Sequence, residues 1–339
     1  MKLDKVMITS GMSLRSRVKA YKERAAQMKN YLDQNPNEWG RFQSEFNQEI
    51  NGIFRDLMLF EKENLLNGNE EKVYRLRQLF VKKFQKDFVQ GPLLKWSLEK
   101  PYGYAGDHKI IDEIYKNEPM TTGFERLFDN YYQMSVISTA VRNRMKDFKK
   151  IIFDSISGSS KSLIKIMVLA SGPCREICEA LQSNVAKEKK VVFHCYDSDQ
   201  KAHEYARNLL LNDSRVTFST QNAVRIALKK DVEKAFEERY NLIYSTGLFD
   251  YLDYGVSIRL VSNLKKLLAP DGRLAISDVR DKFSNPSIYF MEWVADWNLI
   301  YRDDDNFRDI FLNAGFSLSD LLFQYEQQGV MQYILAKNS

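Results

Sequence analysis

Ile164-Lys165-Ile166-Met167-Val168-Leu169-Ala170-Ser171-Gly172-Pro173-Cys174-Arg175-Glu176 opens as a short, β-branched apolar run, bends at a single glycine and continues as a helix. The run 164–169 has the length of a strand. Gly172 permits a tight turn and, lacking a Cβ, lets a ligand approach bare backbone. Pro173 costs little as the first residue of a helix, where its missing N–H would have no partner anyway. A helix over 175–182 is expected to follow. Strand, turn and helix in this order begin a parallel sheet, and ligands of such sheets sit at the carboxyl ends of the strands.

The same rhythm continues toward the C-terminus. Strands are expected at 191–196, 215–219, 241–245 and 273–278, with helices at 200–211 and 256–268. Alternation of this kind implies a mostly parallel sheet covered by helices on both faces. Ala269-Pro270-Asp271-Gly272 reads as a turn that ends the last of these helices and feeds a strand. The tail, 316–323 and 331–336, fits an antiparallel pair at the sheet edge. Toward the N-terminus the period changes. Ile50, Ile53, Phe54, Leu57 and Met58, then Val73, Leu76, Leu79 and Phe80, recur at helical spacing, and Asn67-Gly68-Asn69 separates the two runs. The polar stretch 155–162 reads as a linker or exposed loop. The expected organisation is an N-terminal all-α domain over 1–155, serving as lid or substrate domain, and an α/β Rossmann-like domain over 156–339.

The 339 residues suffice for two domains, and 44% apolar content for a core in each. A net charge of +5 forms no basic stripe, which argues against a nucleic-acid partner. Cys174, Cys178 and Cys195 are too few for a disulfide framework and suit a reducing compartment. No apolar run approaches the ~20 residues of a membrane span, and charges throughout the N-terminus leave no signal-peptide core. A cytoplasmic protein acting on a small molecule is expected, with no metal. Asp303-Asp304-Asp305 reads as a helix start, His194 as a core or sheet-face residue and His203 as exposed on its helix. Phe283, Tyr289, Phe290, Trp293 and Trp297 have helical spacing, which fits core packing first and an apolar channel second.

A dinucleotide would need G-x-G-x-x-G, seating its pyrophosphate on the helix N-terminus. The lone Gly172 disfavours that ligand and suits a nucleoside without a pyrophosphate. Tyr196-Asp197-Ser198-Asp199 ends the second strand. Asp197 can accept hydrogen bonds from both hydroxyls of a ribose, with Ser198 beside it, while Asp199 is either a second ligand or the cap of the next helix. Asn222-Ala223 offers an adenine a polar partner and a small wall, although Asn222 fits a plain turn equally well. Ser245-Thr246-Gly247-Leu248-Phe249-Asp250-Tyr251 follows the fourth strand, where the reacting group belongs.

At this point Ile166-Met167-Val168-Leu169-Ala170-Ser171-Gly172-Pro173 resembles motif I of the class I S-adenosyl-L-methionine-dependent methyltransferases, and Asp197 matches the ribose-binding acidic position of that family. Ala170 stands where the family commonly has glycine. The resemblance spans 163–336. It implies a class I methyltransferase sheet with S-adenosyl-L-methionine as cofactor, held by Ala170, Ser171, Gly172, Pro173, Asp197, Ser198, Asp199, Asn222, Ala223, Ser245, Thr246, Gly247 and Leu248.

A narrower likeness rests on four segments in order: Lys100-Pro101-Tyr102-Gly103-Tyr104-Ala105-Gly106-Asp107, Ala140-Val141-Arg142-Asn143-Arg144, Gly172-Pro173-Cys174-Arg175-Glu176-Ile177 and Gly247-Leu248-Phe249-Asp250-Tyr251-Leu252. Together they resemble a bacterial group of carboxyl O-methyltransferases associated with 3-hydroxypalmitic acid methyl ester. That implies a small or lipid-like acid as the acceptor. The layout is also similar to helical-lid enzymes that cyclise S-adenosyl-L-methionine to azetidine-2-carboxylate, releasing methylthioadenosine.

In the segment 102–108, Asp107 suits the N-cap of a helix through 110–115. The loop is expected to fold over the cofactor, with Tyr102 and Tyr104 turning ring faces to the sulfonium, a contact worth ~0.5–2 kcal/mol. Arg142 or Arg144 can pair with the methionine carboxylate. Tyr104, Asp107, His108 and Tyr251 are the candidate catalytic residues. A carboxylate acceptor needs no general base; for a hydroxyl acceptor, His108 is the histidine placed to serve. Three functional classes stay open: a methyltransferase, a cyclase or lyase consuming the same donor, and a non-catalytic sensor of it.

Overall fold

The structure, a computed structural model, describes residues 13–183 and 188–338. Residues 1–12, whose charges argued against a signal peptide, lie outside them. Helices α1 (Leu14–Gln34), α2 (Gly40–Leu66), α3 (Glu70–Lys83), α4 (Gln85–Phe88), α5 (Pro92–Glu99), α6 (His108–Lys116), α7 (Gly123–Met134) and α8 (Val136–Ser157) precede the first strand. Then come β1 (Leu163–Leu169), α9 (Arg175–Leu181), β2 (Lys190–Asp197), α10 (Gln200–Leu209), β3 (Val216–Thr220), α11 (Ala223–Ala227), α12 (Val232–Ala235) and β4 (Tyr240–Ser245). A 3-10 turn (Phe249–Tyr251), α13 (Tyr254–Lys266), β5 (Leu268–Val279), α14 (Pro286–Val294), α15 (Asp304–Asn313), β6 (Leu321–Tyr325) and β7 (Met331–Lys337) complete the order.

The chain divides into two compact units, neither of them continuous in sequence. One takes the chain up to Gly106, Lys116–Thr139 and Lys282–Asn298; the other takes Asp107–Tyr115, Ala140–Asp281 and everything from Leu299.

The first unit is helical. On α2, Phe46, Ile50, Ile53, Phe54 and Leu57 return to one face every three or four residues, and all are buried. The Asn67-Gly68-Asn69 break lets α3 turn back, so that Phe80 meets Phe54 edge-on with centroids 5.9 Å apart. α14 fills the same core: Phe290 lies 5.2 Å from Phe54 and Trp293 5.5 Å from Phe80. The aromatic residues around α14 therefore pack as core, and Tyr289, Phe290 and Trp293 line no open channel. Lys282 closes this unit with salt bridges to Glu61 at 2.7 Å and Glu292 at 2.9 Å.

The second unit is built on a seven-stranded sheet of order β3-β2-β1-β4-β5-β7-β6. β3, β2, β1, β4 and β5 run parallel, whereas β7 pairs antiparallel with both β5 and β6. β1 is the middle one of the five parallel strands, with Ile164, Ile166, Met167 and Val168 all buried, as a strand covered on both faces must be. The order reverses between β1 and β4, which opens a crevice at their carboxyl ends. α8 packs Phe148 against Tyr244, tilted, and Tyr333, edge-on, with centroids 5.7 and 5.3 Å away.

Two expectations are corrected. The 269–272 turn is an irregularity inside β5: Leu268 already pairs with Tyr240, the register shifts, and pairing resumes at Leu242 and Arg273. Asp271 takes φ +61 there, and a Cβ on Gly272 would stand 2.7 Å from the Tyr240 carbonyl, so only glycine fits. The polar stretch 155–162 is not all loop, because α8 continues through Ser157.

Candidate active site

The bend after β1 is wound tightly. Ala170, Gly172 and Cys174 take φ of 52, 53 and 59, the left-handed region. Glycine reaches it freely, but for Ala170 and Cys174 it is strained. A Cβ built on Gly172 would meet nothing within 4 Å, so the bend is open on that side. Ser171 N–H donates to the Tyr196 carbonyl at 3.3 Å, tying the bend to β2. The Ser171 hydroxyl is buried with no hydrogen-bond partner among the described residues. Pro173 does not open the helix: left-handed Cys174 intervenes as N-cap, and α9 starts at Arg175.

Asp197 ends β2 and is 9% exposed. One carboxylate oxygen accepts from Gly172 N–H at 3.0 Å, the other from Asp199 N–H at 2.9 Å. Each oxygen keeps a second acceptor site, so a diol can still be bound by a carboxylate whose orientation is fixed. Ser198 is exposed. Asp199 caps α10 by accepting from Lys201 N–H at 2.9 Å. Its other oxygen lies 3.3 Å from His108 Nδ1. Asn222 caps α11 by accepting from Val224 and Arg225 N–H at 2.9 and 3.2 Å, which is a turn residue's role; Ala223 beside it is buried.

At the end of β4, the Ser245 hydroxyl donates to the Leu169 carbonyl at 2.7 Å, and the Thr246 carbonyl accepts from Ser277 at 2.8 Å. Leu248 is half-buried, and Tyr251 is 43% exposed. Asp250 is buried and accepts from Val279 N–H at 2.9 Å. Burial pushes its carboxyl up to about 6, against the pull of Arg144. Burial and the charge of Asp250 push Asp278 well above its ordinary range, although Arg302 pairs with it at 3.0 Å. Arg144 lies along Gly247, so that a Cβ there would be 3.4 Å from Nη2. Of the two arginines considered, this one borders the β4 loop; Arg142 is half-buried and donates to the Ile114 carbonyl at 3.4 Å.

α6 brings a further group. Asp107 caps it, accepting from Lys109 and Ile110 N–H at 2.9 and 3.0 Å. His108 is 3% exposed, its ring 5.3 Å from that of Tyr205. Asp112, fully buried, receives Arg175 through two hydrogen bonds of 2.6 and 2.8 Å and the Tyr205 hydroxyl at 2.5 Å. This fastens α6 to the start of α9 and the middle of α10. Tyr102 and Tyr104 belong to the helical unit, where Tyr102 packs 5.8 Å from Trp96 and Tyr104 is 38% exposed.

Sequence reasoning missed Asp112 and Asp250. An acid on the buried face of an amphipathic helix, and one inside a strand-end loop, were the available signals. His203 is the opposite case and corrects the expectation of exposure: it is 2% exposed, its ring 5.3 Å from Phe218, and burial lowers its pKa. That face of α10 lies on the sheet. His194 is half-buried, with Nδ1 3.1 Å from the Tyr240 hydroxyl. Among the described residues no three His, Cys, Asp or Glu could hold a metal, and no helix is long and apolar enough to cross a membrane.

No family model and no curated protein matches the chain. Solved structures do. A protein from Bordetella parapertussis, described as a candidate exported protein, superposes with a TM-score of 0.56 at 17% identity, covering 77% of this chain and 95% of its own. The CurJ carbon methyltransferase superposes with a TM-score of 0.51 at 13% identity, covering 89% of this chain and 71% of its own. At such identities the likeness concerns architecture. The second unit has a Rossmann-like sheet, mostly parallel with an antiparallel edge, and the likeness to the carbon methyltransferase is one of fold.

Proposed function

We propose that the chain is an S-adenosyl-L-methionine-dependent methyltransferase that O-methylates a carboxyl or hydroxyl group of a small or fatty-acid-like molecule. The observation that carries this reading is the coupling of Asp197 to the glycine bend, one carboxylate oxygen accepting from Gly172 N–H at 3.0 Å. It presents an oriented acceptor pair beside open backbone at the switch point of the sheet. The residues fit a nucleoside joined to a thioether. Nothing lies within 4 Å of the missing Gly172 Cβ, and the buried Ser171 hydroxyl is unpartnered among the described residues. The fold likeness to a carbon methyltransferase supports the reaction class, and the motif resemblance supports an oxygen acceptor.

When bound, the donor supplies a methyl carbon on positively charged sulfur. The acceptor oxygen forms a bond to that carbon while the carbon–sulfur bond breaks and its electron pair stays on sulfur. A carboxylate has no proton to lose. A hydroxyl must give one up, and His108 would take it, its protonated ring stabilised by Asp199 3.3 Å from Nδ1. Alignment of donor and acceptor supplies most of the acceleration, on the order of 7–11 kcal/mol at best.

Incubating the purified protein with the donor and a panel of fatty and small hydroxy acids, followed by mass spectrometry of the nucleoside, tests this. S-adenosylhomocysteine is the expected product. Methylthioadenosine instead would mean that the donor attacks itself, and intact donor across the panel would mean a sensor.

A further inference from the structure

We propose that Cys174 and Cys195 form a reversible disulfide, and that closing it weakens ligand binding at the bend after β1. The pair itself goes beyond the functional reading above; only its effect on the ligand rests on that reading.

Both thiols are free and fully buried, Cys174 in the bend and Cys195 on β2. Their sulfurs lie 4.0 Å apart. A disulfide bond is about 2.0 Å long, so the sulfurs must close by roughly 2 Å. Cys178 is turned elsewhere, its sulfur 3.7 Å from the Leu209 carbonyl.

The two partners are held unequally. Cys195 is flanked by Val168 of β1 and Phe218 of β3, and it cannot shift without the sheet. Cys174 stands between the bend and α9 at φ 59, a conformation that is strained for a residue with a Cβ. Its thiol is held by weak hydrogen bonding, 3.6 Å from the Ser171 carbonyl and 3.8 Å from the Gly172 carbonyl. Closure therefore draws Cys174 toward β2. A disulfide sulfur has no S–H to donate, so that hold on the bend is lost as well.

The pair and the ligand site share the same two segments. Gly172 precedes Cys174 by two residues, Asp197 follows Cys195 by two, and Gly172 N–H donates to the Asp197 carboxylate at 3.0 Å. Moving the bend at Cys174 disturbs that bond and the open approach at Gly172. A ligand seated in the bend keeps it in the dithiol geometry. By linkage, the ligand opposes oxidation by the same factor as oxidation weakens the ligand.

The oxidant is a low-molecular-weight disulfide. Cys174 loses its proton and attacks one sulfur of the oxidant. The oxidant's S–S bond breaks, and its other half leaves as a thiolate that takes up a proton. Cys195, deprotonated in turn, attacks the Cys174 sulfur of the mixed disulfide, and the second half leaves in the same way. Two protein thiols are oxidised, and one disulfide is reduced to two thiols. Contact with Cys195 and burial hold the Cys174 thiol well above its ordinary range, so the closed bend is inert and exchange proceeds as the bend opens.

Equilibrating the full chain with mercaptoethanol and its disulfide at graded ratios, then blocking thiols with N-ethylmaleimide and mapping peptides by mass spectrometry, tests this. The ligand-free protein should show a Cys174–Cys195 crosslink with Cys178 alkylated. Calorimetry should find S-adenosylhomocysteine about tenfold or more weaker on the crosslinked protein, with recovery in dithiothreitol. Saturating S-adenosylhomocysteine should then raise the reduction potential of the pair by the same factor, about 30 mV per tenfold. Cys195→Ala, which keeps a small apolar side chain in the sheet, should form no crosslink and keep its affinity through the same treatment. Absence of the crosslink at every ratio overturns the proposal, as does a crosslinked protein with unchanged affinity or an equal loss of affinity in treated Cys195→Ala. Should the reduced protein bind neither S-adenosylhomocysteine nor methylthioadenosine, the functional reading falls, and the mapped crosslink still decides whether the pair is redox-active.

Discussion

Gly172→Ala separates what the bend after β1 does for folding from what it does for binding. In the folded chain the new methyl group meets no atom within 4 Å, so no clash arises. The cost is conformational. Gly172 sits at φ +53, and an L-residue in the left-handed region costs roughly 1–2 kcal/mol. Ala170 already adopts φ 52 in the same bend, which shows that the loop can hold an alanine there. Reduced freedom of the unfolded chain offsets part of that cost, by about 0.4–1 kcal/mol. The net loss is about 1 kcal/mol, a fall in melting temperature of roughly 2–4 °C. Binding should suffer more, because the methyl group occupies the open side where the ligand approaches backbone. S-adenosylhomocysteine affinity is expected to drop about tenfold or more, ~1.4 kcal/mol or above. Differential scanning fluorimetry and calorimetry read the two effects separately. A protein that melts a few degrees lower but binds S-adenosylhomocysteine as before would refute the placement of the ligand against this bend.

Further outcomes follow from the same geometry. Asp197→Asn should weaken S-adenosylhomocysteine and methylthioadenosine equally, by about tenfold or more, since each binds through its ribose; calorimetry with both ligands checks this. Asp112→Asn removes the charge that a bidentate Arg175 and the Tyr205 hydroxyl share in a fully buried place, and chemical denaturation should show a loss of roughly 3–5 kcal/mol. Asp250 has a pKa raised from 3.8 to about 6, so the folded chain holds a proton that the unfolded chain has released. The contribution is therefore present below about pH 4 and is lost as the pH rises toward 6. Denaturation across this window should find Asp250→Asn gaining on the unaltered protein as pH increases, and a constant difference would contradict the shift.

Much of the second unit was legible because its signals are local. Apart from Lys165 the run 164–169 is apolar on both faces, as an interior parallel strand must be, and β1 is flanked by β2 and β4. The caps at Asp107 and Asp199 also declared themselves, since an N-cap bonds only to amides two or three residues ahead. Where a local signal misled, tertiary packing explains it. Ala269-Pro270-Asp271-Gly272 has turn chemistry and does bend at Asp271, yet β4 lies alongside, and Leu268 pairs with Tyr240 before the bend begins.

What stayed hidden is pairing across long stretches of chain. Asp112 and Arg175 are 63 residues apart, and nothing near either residue identifies the other. Arg144 and Asp250 both lie in quoted motifs, but their proximity depends on α8 crossing the end of β4. The division into units was hidden for the same reason. α6 has no apolar pattern that separates it from its helical neighbours; its buried face carries Ile110, Asp112 and Ile114, and Asp112 ties it to Arg175 and Tyr205. Conversely, 282–298 follows β5 in sequence yet joins the helical core through Phe290 and Trp293, because aromatic area of that size is stabilised only where Phe54 and Phe80 can enclose it. Unit membership in this chain thus depends on which partners the buried face of a segment meets, and a periodicity argument that weighs all apolar positions alike has no means of naming those partners.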